Sequence, residues 1–303
     1  MTRVVPILVV VLALLVVWYV AAIFLNAPVL LDAYARNNVA WSWPQFVLDA
    51  WNQGRPVLPS PHQVLVEFWN TTVGLPVTSK KSLVYHAWVT LSATLLGFVV
   101  GTLFGVALAV LIVHNDASDR SLMPWIIASQ TVPIVALAPV LVVVTYNVVT
   151  GDNMISHAFH LTGDTARLVS KGLVATYLSF FPVVVGMVKG FRSPEAIQLD
   201  LMRTYNASRA QAFWKLRLPI AVPYLFTSMK VAVAASLVGA IVGELPTGAV
   251  AGLGARLLGG SYYGQTVQIW SALLAASLLA GLLVVAVGLV ERLVVRRMGA
   301  RPA

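Results

Sequence analysis

The sequence predicts an all-α integral membrane protein with six transmembrane helices and both termini in the cytoplasm. Hydrophobic residues make up 59% of the 303 residues and charged residues only 10%, and the mean hydropathy is +0.84. A soluble globular chain has roughly 45–50% apolar and roughly 25% charged residues, so this composition excludes that class. The basic residues also cluster in alternate polar segments, which is the charge bias that orients helices in a membrane.

The net charge of +9 has a topological explanation. Twelve of the 20 lysines and arginines fall in the segments that we place on the cytoplasmic side. Membrane orientation and contact with lipid headgroups explain this charge better than nucleic acid does, so we expect membrane lipid and no nucleic acid as a partner. The chain has no cysteine, which excludes disulfides and thiolate metal sites.

The first 83 residues are predicted to form one transmembrane helix and a periplasmic segment. The apolar run 4–25 has the length of a full bilayer span and exceeds the roughly 7–15 residues of a signal core, so we interpret it as a retained helix. Residues 26–83 are rich in proline and tryptophan, which favours an external cap with interfacial aromatic side chains over a ligand-stacking site. Within this segment, Ser60 and Pro61 predict the start of a short helix.

Residues 84–303 are predicted to form a five-helix core with a cytoplasmic loop at about 189–219. The spans of this core are predicted at 85–113, 122–149, 168–188, 223–243 and 266–290. Gly97, Gly101 and Gly105 lie four residues apart in the first of these spans. This spacing predicts a smooth stripe against which another helix packs closely.

Polar residues in or near the spans are few, and some have two interpretations. Glu244 ends an apolar span. It forms either a gate or substrate contact at the outer end of a pathway, or a helix-terminal carboxylate bonded to the amides of the following turn. Lys171 is expected near the outer interface. His157 and His160 lie three apart in an external loop, where a solvated loop is favoured over a metal site because no third ligand lies nearby.

The sequence contains no phosphate-binding G-x-x-x-x-G-K-[ST] loop. Energy for transport must therefore come from a partner subunit or from an ion gradient. An enzyme is not indicated, because the sequence shows neither a nucleophile with a matching base nor a set of metal ligands. The predicted function is transport rather than catalysis.

The most informative segment is 199–223, LDLMRTYNASRAQAFWKLRLPIAVP, which is polar and basic between long apolar runs. A lysine or arginine at the centre of a bilayer costs about 2.5–3.5 kcal/mol, so this segment lies in water. Its positive charge places it in the cytoplasm. Asn206 is followed, after nine residues, by the sequence L-R-L-P at 216–219.

This spacing resembles the cytoplasmic signature loop of the permease subunits of binding-protein-dependent ABC importers, which reads E-A-A-x-x-x-G, nine residues, then I/V-x-L-P. Asp200, Leu201 and Met202 stand at the E-A-A positions, and Asn206 stands at the glycine. Asparagine is the residue that next best tolerates a left-handed turn. Residues 130–139 also resemble the corresponding helix of the nitrate, sulfonate and taurine branch of these permeases.

The resemblance implies which residues carry the function. In that family the loop docks into a groove of the ATPase subunit, and aromatic anchors such as Phe213 and Trp214 suit such a contact. The implied coupling residues are Asp200, Arg203, Asn206, Ala207, Arg209, Phe213, Leu218 and Pro219. Proline within the third span predicts a broken helix that borders the translocation path. The implied pathway or gate residues are Gln130, Thr131, Pro133 and Glu244.

The resemblance also implies the partners and the cellular location. The chain would be the transmembrane subunit of an ATP-driven importer in the bacterial inner membrane, for a small solute such as a sulfonate or taurine, nitrate or a pyrimidine-type precursor. It would associate with a second permease subunit, identical or related, with a solute-binding protein and with ATPase subunits that hold ATP and Mg²⁺. It would bind no cofactor itself. The alternative is a secondary transporter or channel driven by an ion gradient.

Cysteine labelling tests the predicted topology. Because the chain has no cysteine of its own, Ser208→Cys and Gly299→Cys place single thiols in the two basic segments that resist export. We expect neither variant to react with a membrane-impermeant thiol reagent in intact cells, and both to react after permeabilisation. Ready labelling of either position from outside would reject this topology.

Overall fold

The computed structural model describes residues 4–151, 163–246 and 251–298, which fold predominantly into α-helices. In chain order these are α1 Val4–Asn37, α2 Trp43–Trp51, α3 Pro61–Thr72, α4 Leu83–His114, α5 Asp116–Ser129, α6 Ile134–Thr150, α7 Gly163–Phe191, α8 Ala196–Thr204, α9 Arg209–Ala212, α10 Leu218–Glu244, α11 Leu253–Tyr262 and α12 Thr266–Arg297. A π-helical turn, Phe213–Arg217, joins α9 to α10. The all-α prediction is confirmed for the described residues.

Five helices in the described ranges are long and apolar enough to cross a membrane. They are α1, α4, α7, the continuous helix Arg209–Glu244 and α12. The pair α5 and α6 meets the same criterion together, but its two axes are bent by 103° at a short break. This break confirms the interruption predicted within the third span, because Pro133 lacks the amide hydrogen that a continuous helix requires.

The chain divides into two compact units, of which the first comprises Met1–Ala87 and Ala255–Ser277. Its first helix continues to Asn37, so the prediction that this helix ends at residue 25 is wrong. The reason is the buried Asn26, whose amide nitrogen donates to backbone oxygens of residues 50 and 58, at 2.9 and 3.0 Å. Its Oδ1 accepts from the amides of residues 57 and 58. A polar residue that is satisfied in this way can remain inside a helix.

Two tryptophan side chains connect segments of this unit by donating hydrogen bonds to its backbone. Trp18 Nε1 donates to Pro59 O at 3.0 Å, and Trp51 Nε1 donates to Tyr19 O at 3.1 Å. The start of a short helix at Pro61 is confirmed. The amide of residue 60 donates to Oε1 of residue 63 at 3.1 Å, which is one half of a capping box.

The second unit comprises Trp88–Gly254 and Leu278–Ala303. Helix α7 is largely buried in it, and its residues form the core with apolar side chains of α4 and α10. The glycine stripe of α4 packs against α7 as predicted, because a Cβ on Gly97 would lie 2.9 Å from both Gly172 O and the carbonyl carbon of Ala175. Glycine therefore sets the distance between these two helices.

Replacing Gly97 with valine tests this close packing. We expect Gly97→Val to push α4 from α7 and to destabilise the protein by about 1–3 kcal/mol, as overpacking does. The measurement is the apparent melting temperature of the purified protein in detergent. Gly281→Val is the matched control, because a Cβ on Gly281 meets nothing within 4 Å. Equal melting temperatures for the two variants would contradict the packing argument.

Candidate functional site

The basic segment that follows α7 begins with the short helix α8. The amide of Glu195 donates to Gln198 Oε1 at 3.0 Å, which satisfies one of the open donors at the start of the helix. The helix ends in a left-handed turn, because Asn206 has φ 49°. The amide of Ala207 donates back to Met202 O at 2.9 Å. Asn206 therefore adopts the backbone conformation for which glycine is usually required.

A second capping box starts the next helical turn and leads into α10. Ser208 Oγ accepts from the amide of Gln211 at 3.2 Å, and the amide of Ser208 donates to Gln211 Oε1 at 2.9 Å. The π-helical turn Phe213–Arg217 follows, and then Leu218 and Pro219 begin α10. Proline removes one helical hydrogen bond and crowds the carbonyl four residues earlier, which a wider turn relieves.

Two aromatic residues of this segment have opposite environments. Phe213 is only 7% exposed and packs against His114 and Phe191, with ring centroids 4.9 and 5.2 Å away. The expectation that Phe213 is an anchor for a partner is therefore wrong, because its ring belongs to the core of this chain. Trp214 is 65% exposed and remains available.

The structure reveals an exposed apolar stripe on α8 that sequence reasoning missed. Ile197, Leu201 and Tyr205 are 72%, 55% and 76% exposed. They lie four residues apart, and side chains at this spacing share one face of a helix. We call these three residues the α8 stripe. The periodicity was present in the sequence, but the segment is too short and too basic for an apolar face to stand out.

The predicted pathway residues at the break between α5 and α6 lie together in space. Gln130 is half-buried, whereas Thr131 and Pro133 are exposed. Thr131 Oγ1 donates to Ala128 O at 2.8 Å, which closes the last turn of α5. The hydroxyl of Tyr177 on α7 donates to Ser129 O. Hydrogen bonds from Thr131, within the break, and from Tyr177, on α7, therefore fix the end of α5 at this break.

Glu244 is fully buried at the end of α10, and its carboxylate has several donors. Thr90 Oγ1 donates to Glu244 Oε1 at 2.9 Å, and the amide of Gly254 donates to Oε2 at 2.7 Å. The Glu244 carboxylate thus accepts a hydrogen bond from a backbone amide beyond the end of α10, as expected from its interpretation as a helix-terminal carboxylate. Gly252 has φ 129°, and a Cβ there would overlap the carboxylate. Glycine is required at that position for both reasons.

Lys171 is the second charged member of this cluster, and the expectation that it lies near the outer interface stays a prediction. It is 5% exposed, and its Nζ lies 3.6 Å from Glu244 Oε1 and 3.4 Å from Ala251 O. The two charges come from α7 and α10, 73 residues apart in the chain, so no local pattern reveals the pair. His157 and His160, by contrast, lie outside the described residues, and the interpretation of their loop stays a prediction.

Comparison with known proteins identifies the family. The family model described as the binding-protein-dependent transport system inner membrane component matches residues 101–300. The chain belongs to this family. It is therefore a multi-pass membrane permease subunit of an ABC importer, and the alternative of a gradient-driven carrier or channel is set aside.

Individual relatives agree with this assignment. The chain is 31% identical over 240 residues to the riboflavin transport system permease protein RibX of Chloroflexus aurantiacus, over 79% of this chain and 80% of the relative. It is 30% identical over 203 residues to the formylaminopyrimidine transport permease protein ThiX of Halalkalibacterium halodurans, over 66% and 70% of the two chains. The solved MetNI methionine ABC transporter shares the fold, with a TM-score of 0.55 and 20% identity over 70% of this chain and 95% of that chain.

More distant relatives are named for anionic or zwitterionic solutes. Permeases named for aliphatic sulfonates in Bacillus subtilis, nitrate in Leptolyngbya laminosa and taurine in Escherichia coli are 22%, 24% and 25% identical. These matches cover 65–78% of this chain and 64–78% of the relatives. The branch that the sequence resembles is confirmed by these names.

A double-mutant cycle on Lys171 and Glu244 separates their structural role from a role in the pathway. Glu244→Gln keeps the size and much of the hydrogen bonding, but it removes the charge that neutralises Lys171. Breaking a buried pair costs about 3–5 kcal/mol, whereas removing both charges costs much less. We therefore expect each single variant, Glu244→Gln or Lys171→Met, to melt earlier than Lys171→Met/Glu244→Gln.

The readouts of this cycle are the melting temperature and the solute uptake of the assembled importer. Single variants that melt like the wild type would contradict the buried pair. If the double variant is stable but transports poorly, Glu244 acts in the pathway. If it is stable and transports normally, the pair serves the structure alone.

Proposed function

We propose that this permease subunit imports a small nitrogen heterocycle, such as a pyrimidine-type precursor, across the inner membrane of a bacterium. The observation that supports this substrate class is the order of identities. Relatives named for riboflavin and formylaminopyrimidine are 31% and 30% identical, whereas those named for sulfonates, nitrate and taurine are 22–25% identical.

The charges inside the described part of the chain agree with a neutral heterocycle. An anion that crosses a low-dielectric pathway is stabilised by an uncompensated positive charge. Among the described residues of the second unit, Lys171 is a buried cation, and Glu244 neutralises it at 3.6 Å. A neutral heterocycle does not need that charge.

The topology that we propose counts the bent pair α5 and α6 as the sixth span. With five spans the two ends of the chain would lie on opposite sides of the membrane. The chain carries Arg3 before its first span and four arginines at 292–301. Basic flanks favour the cytoplasm at both ends, so an even number of spans agrees better with the charge.

We further propose that the α8 stripe docks into an ATPase subunit that binds ATP and Mg²⁺. The stripe is an exposed apolar surface in a basic segment, and apolar side chains surrounded by charged residues are typical of protein interfaces. Asp200 would form part of that rim, and its Oδ1 lies 3.0 Å from Arg203 Nη1. A second permease subunit and a solute-binding protein would complete the importer.

Uptake by the reconstituted importer tests both proposals. We expect proteoliposomes that hold this permease, its ATPase subunit and external solute-binding protein to take up a labelled aminopyrimidine or riboflavin with ATP inside, and not nitrate or taurine. Leu201→Glu places a charge in the middle of the α8 stripe, where its burial would cost several kcal/mol. Because each 1.4 kcal/mol is tenfold in affinity, this variant should lose the copurifying ATPase and the uptake.

The control introduces the same charge on another face of the same helix. At about 100° per residue, Ala196 lies about 140° from Leu201 around α8, and it is exposed at the first helical position. We expect Ala196→Glu to bind the ATPase and to transport like the wild type. Equal losses in both variants would reject the stripe as the docking surface. Uptake of nitrate or taurine in place of the heterocycle would reject the substrate class.

A further inference from the structure

A cavity of about 470 Å³ lies beneath the basic segment, on the side of α8 that faces away from the α8 stripe. Leu199, Met202 and Arg203 of α8 line it. At about 100° per residue, Leu199 and Arg203 lie about 160° from Leu201 around the helix, and Met202 lies about 100° from it. We call this space the basic cavity. Its remaining lining residues are Val113, His114, Ala207, Arg209, Ala212, Phe213 and Arg217.

The charge of the basic cavity is positive and partly uncompensated. Arg203 is paired with Asp200, at 3.0 Å. In the described part of the chain, Arg209 and Arg217 have no acidic side chain within ion-pair distance. Two guanidinium groups that line one cavity without a counter-ion form a site for an anionic group, because arginine presents donors in a fork that matches phosphate and carboxylate oxygens.

The position of the cavity along the helices favours a phosphate at the membrane surface. His114 is the last residue of the span α4, and Arg217 directly precedes α10. The ends of these apolar helices mark the level at which the hydrocarbon gives way to the headgroups. Val113, Leu199 and Phe213 add an apolar wall beside the arginines, which suits a molecule with a charged head and an apolar tail.

We propose that the basic cavity binds the phosphate headgroup of an anionic phospholipid of the inner leaflet. Basic cavities between helices on the cytoplasmic side of membrane proteins bind such headgroups. The lipid would fill the space between the end of α4 and α8, and it would contact the face of α8 that lines the cavity. The α8 stripe on the opposite face stays free, so this role does not compete with docking of a partner.

Native mass spectrometry of the full-length chain in mild detergent tests the proposal, with phosphatidylglycerol or phosphatidylcholine added in steps. We expect wild-type protein to bind its first phosphatidylglycerol molecule with higher affinity than any further phosphatidylglycerol molecules. In Arg209→Gln/Arg217→Gln, this affinity should fall about tenfold or more, whereas the affinity for phosphatidylcholine should stay unchanged. Lys189→Gln/Lys215→Gln is the matched control, since it removes two positive charges of the predicted cytoplasmic loop 189–219 that do not line the cavity.

The outcomes separate the site from its alternatives. Equal loss of phosphatidylglycerol in both double variants would overturn the proposal, because general attraction to the basic segment would then explain the binding. Inorganic phosphate at millimolar concentration should not displace the lipid. Displacement would show a site for free phosphate instead. If Arg209→Gln/Arg217→Gln loses its cooperative melting transition, Arg209→Gln alone replaces it, because this side chain is exposed, and an unchanged affinity in that variant overturns the proposal.

Discussion

Backbone contact among three helices is the constraint on which the second unit depends. Ala175 of α7 lies between two glycines, because a Cβ on Gly97 of α4 or on Gly239 of α10 would lie within 3 Å of its backbone. Hydrocarbon supplies no hydrophobic force between helices, so close packing and hydrogen bonds must hold them together. Ser179 Oγ donates to Gly97 O at 3.0 Å, and Ser236 Oγ donates to residue 94 O at 2.7 Å. Small residues thus bring the backbones within reach of these bonds.

The same three helices are joined at both ends. At one end, Thr90, Lys171 and Glu244 contribute one polar side chain from each helix to a single buried cluster. At the other end, His114 and Phe191 pack against Phe213 of the π-helical turn. The helix Arg209–Glu244 connects the two ends without a break over 36 residues. At 1.5 Å per residue this is about 54 Å, so the part of the basic segment from Arg209 onward and Glu244 lie on one continuous helix.

The sequence predicts the structure correctly where a single residue type decides the local backbone. Proline broke the third span, glycine made the stripe on α4, and Asn206 adopted the left-handed turn, each for a reason that is contained in that residue. The predictions failed where contacts with residues far away in the chain determine the structure. The polar Asn26 looked like the end of a helix, but backbone groups from another segment satisfy it. The ion pair of Lys171 was not predicted, because its counter-ion Glu244 comes from another helix.

Different contacts constrain the two halves of the segment 199–223. This difference explains why the downstream half matches the family signature better than the upstream half. The downstream half, from Phe213 to Pro219, enters the core and begins α10, so the packing of this chain fixes it. In the upstream half the α8 stripe faces outward, so the packing of this chain does not fix its side chains. Asn206 keeps the left-handed backbone that links the halves. Departures from E-A-A therefore change exposed or half-buried side chains and leave the path of the chain intact.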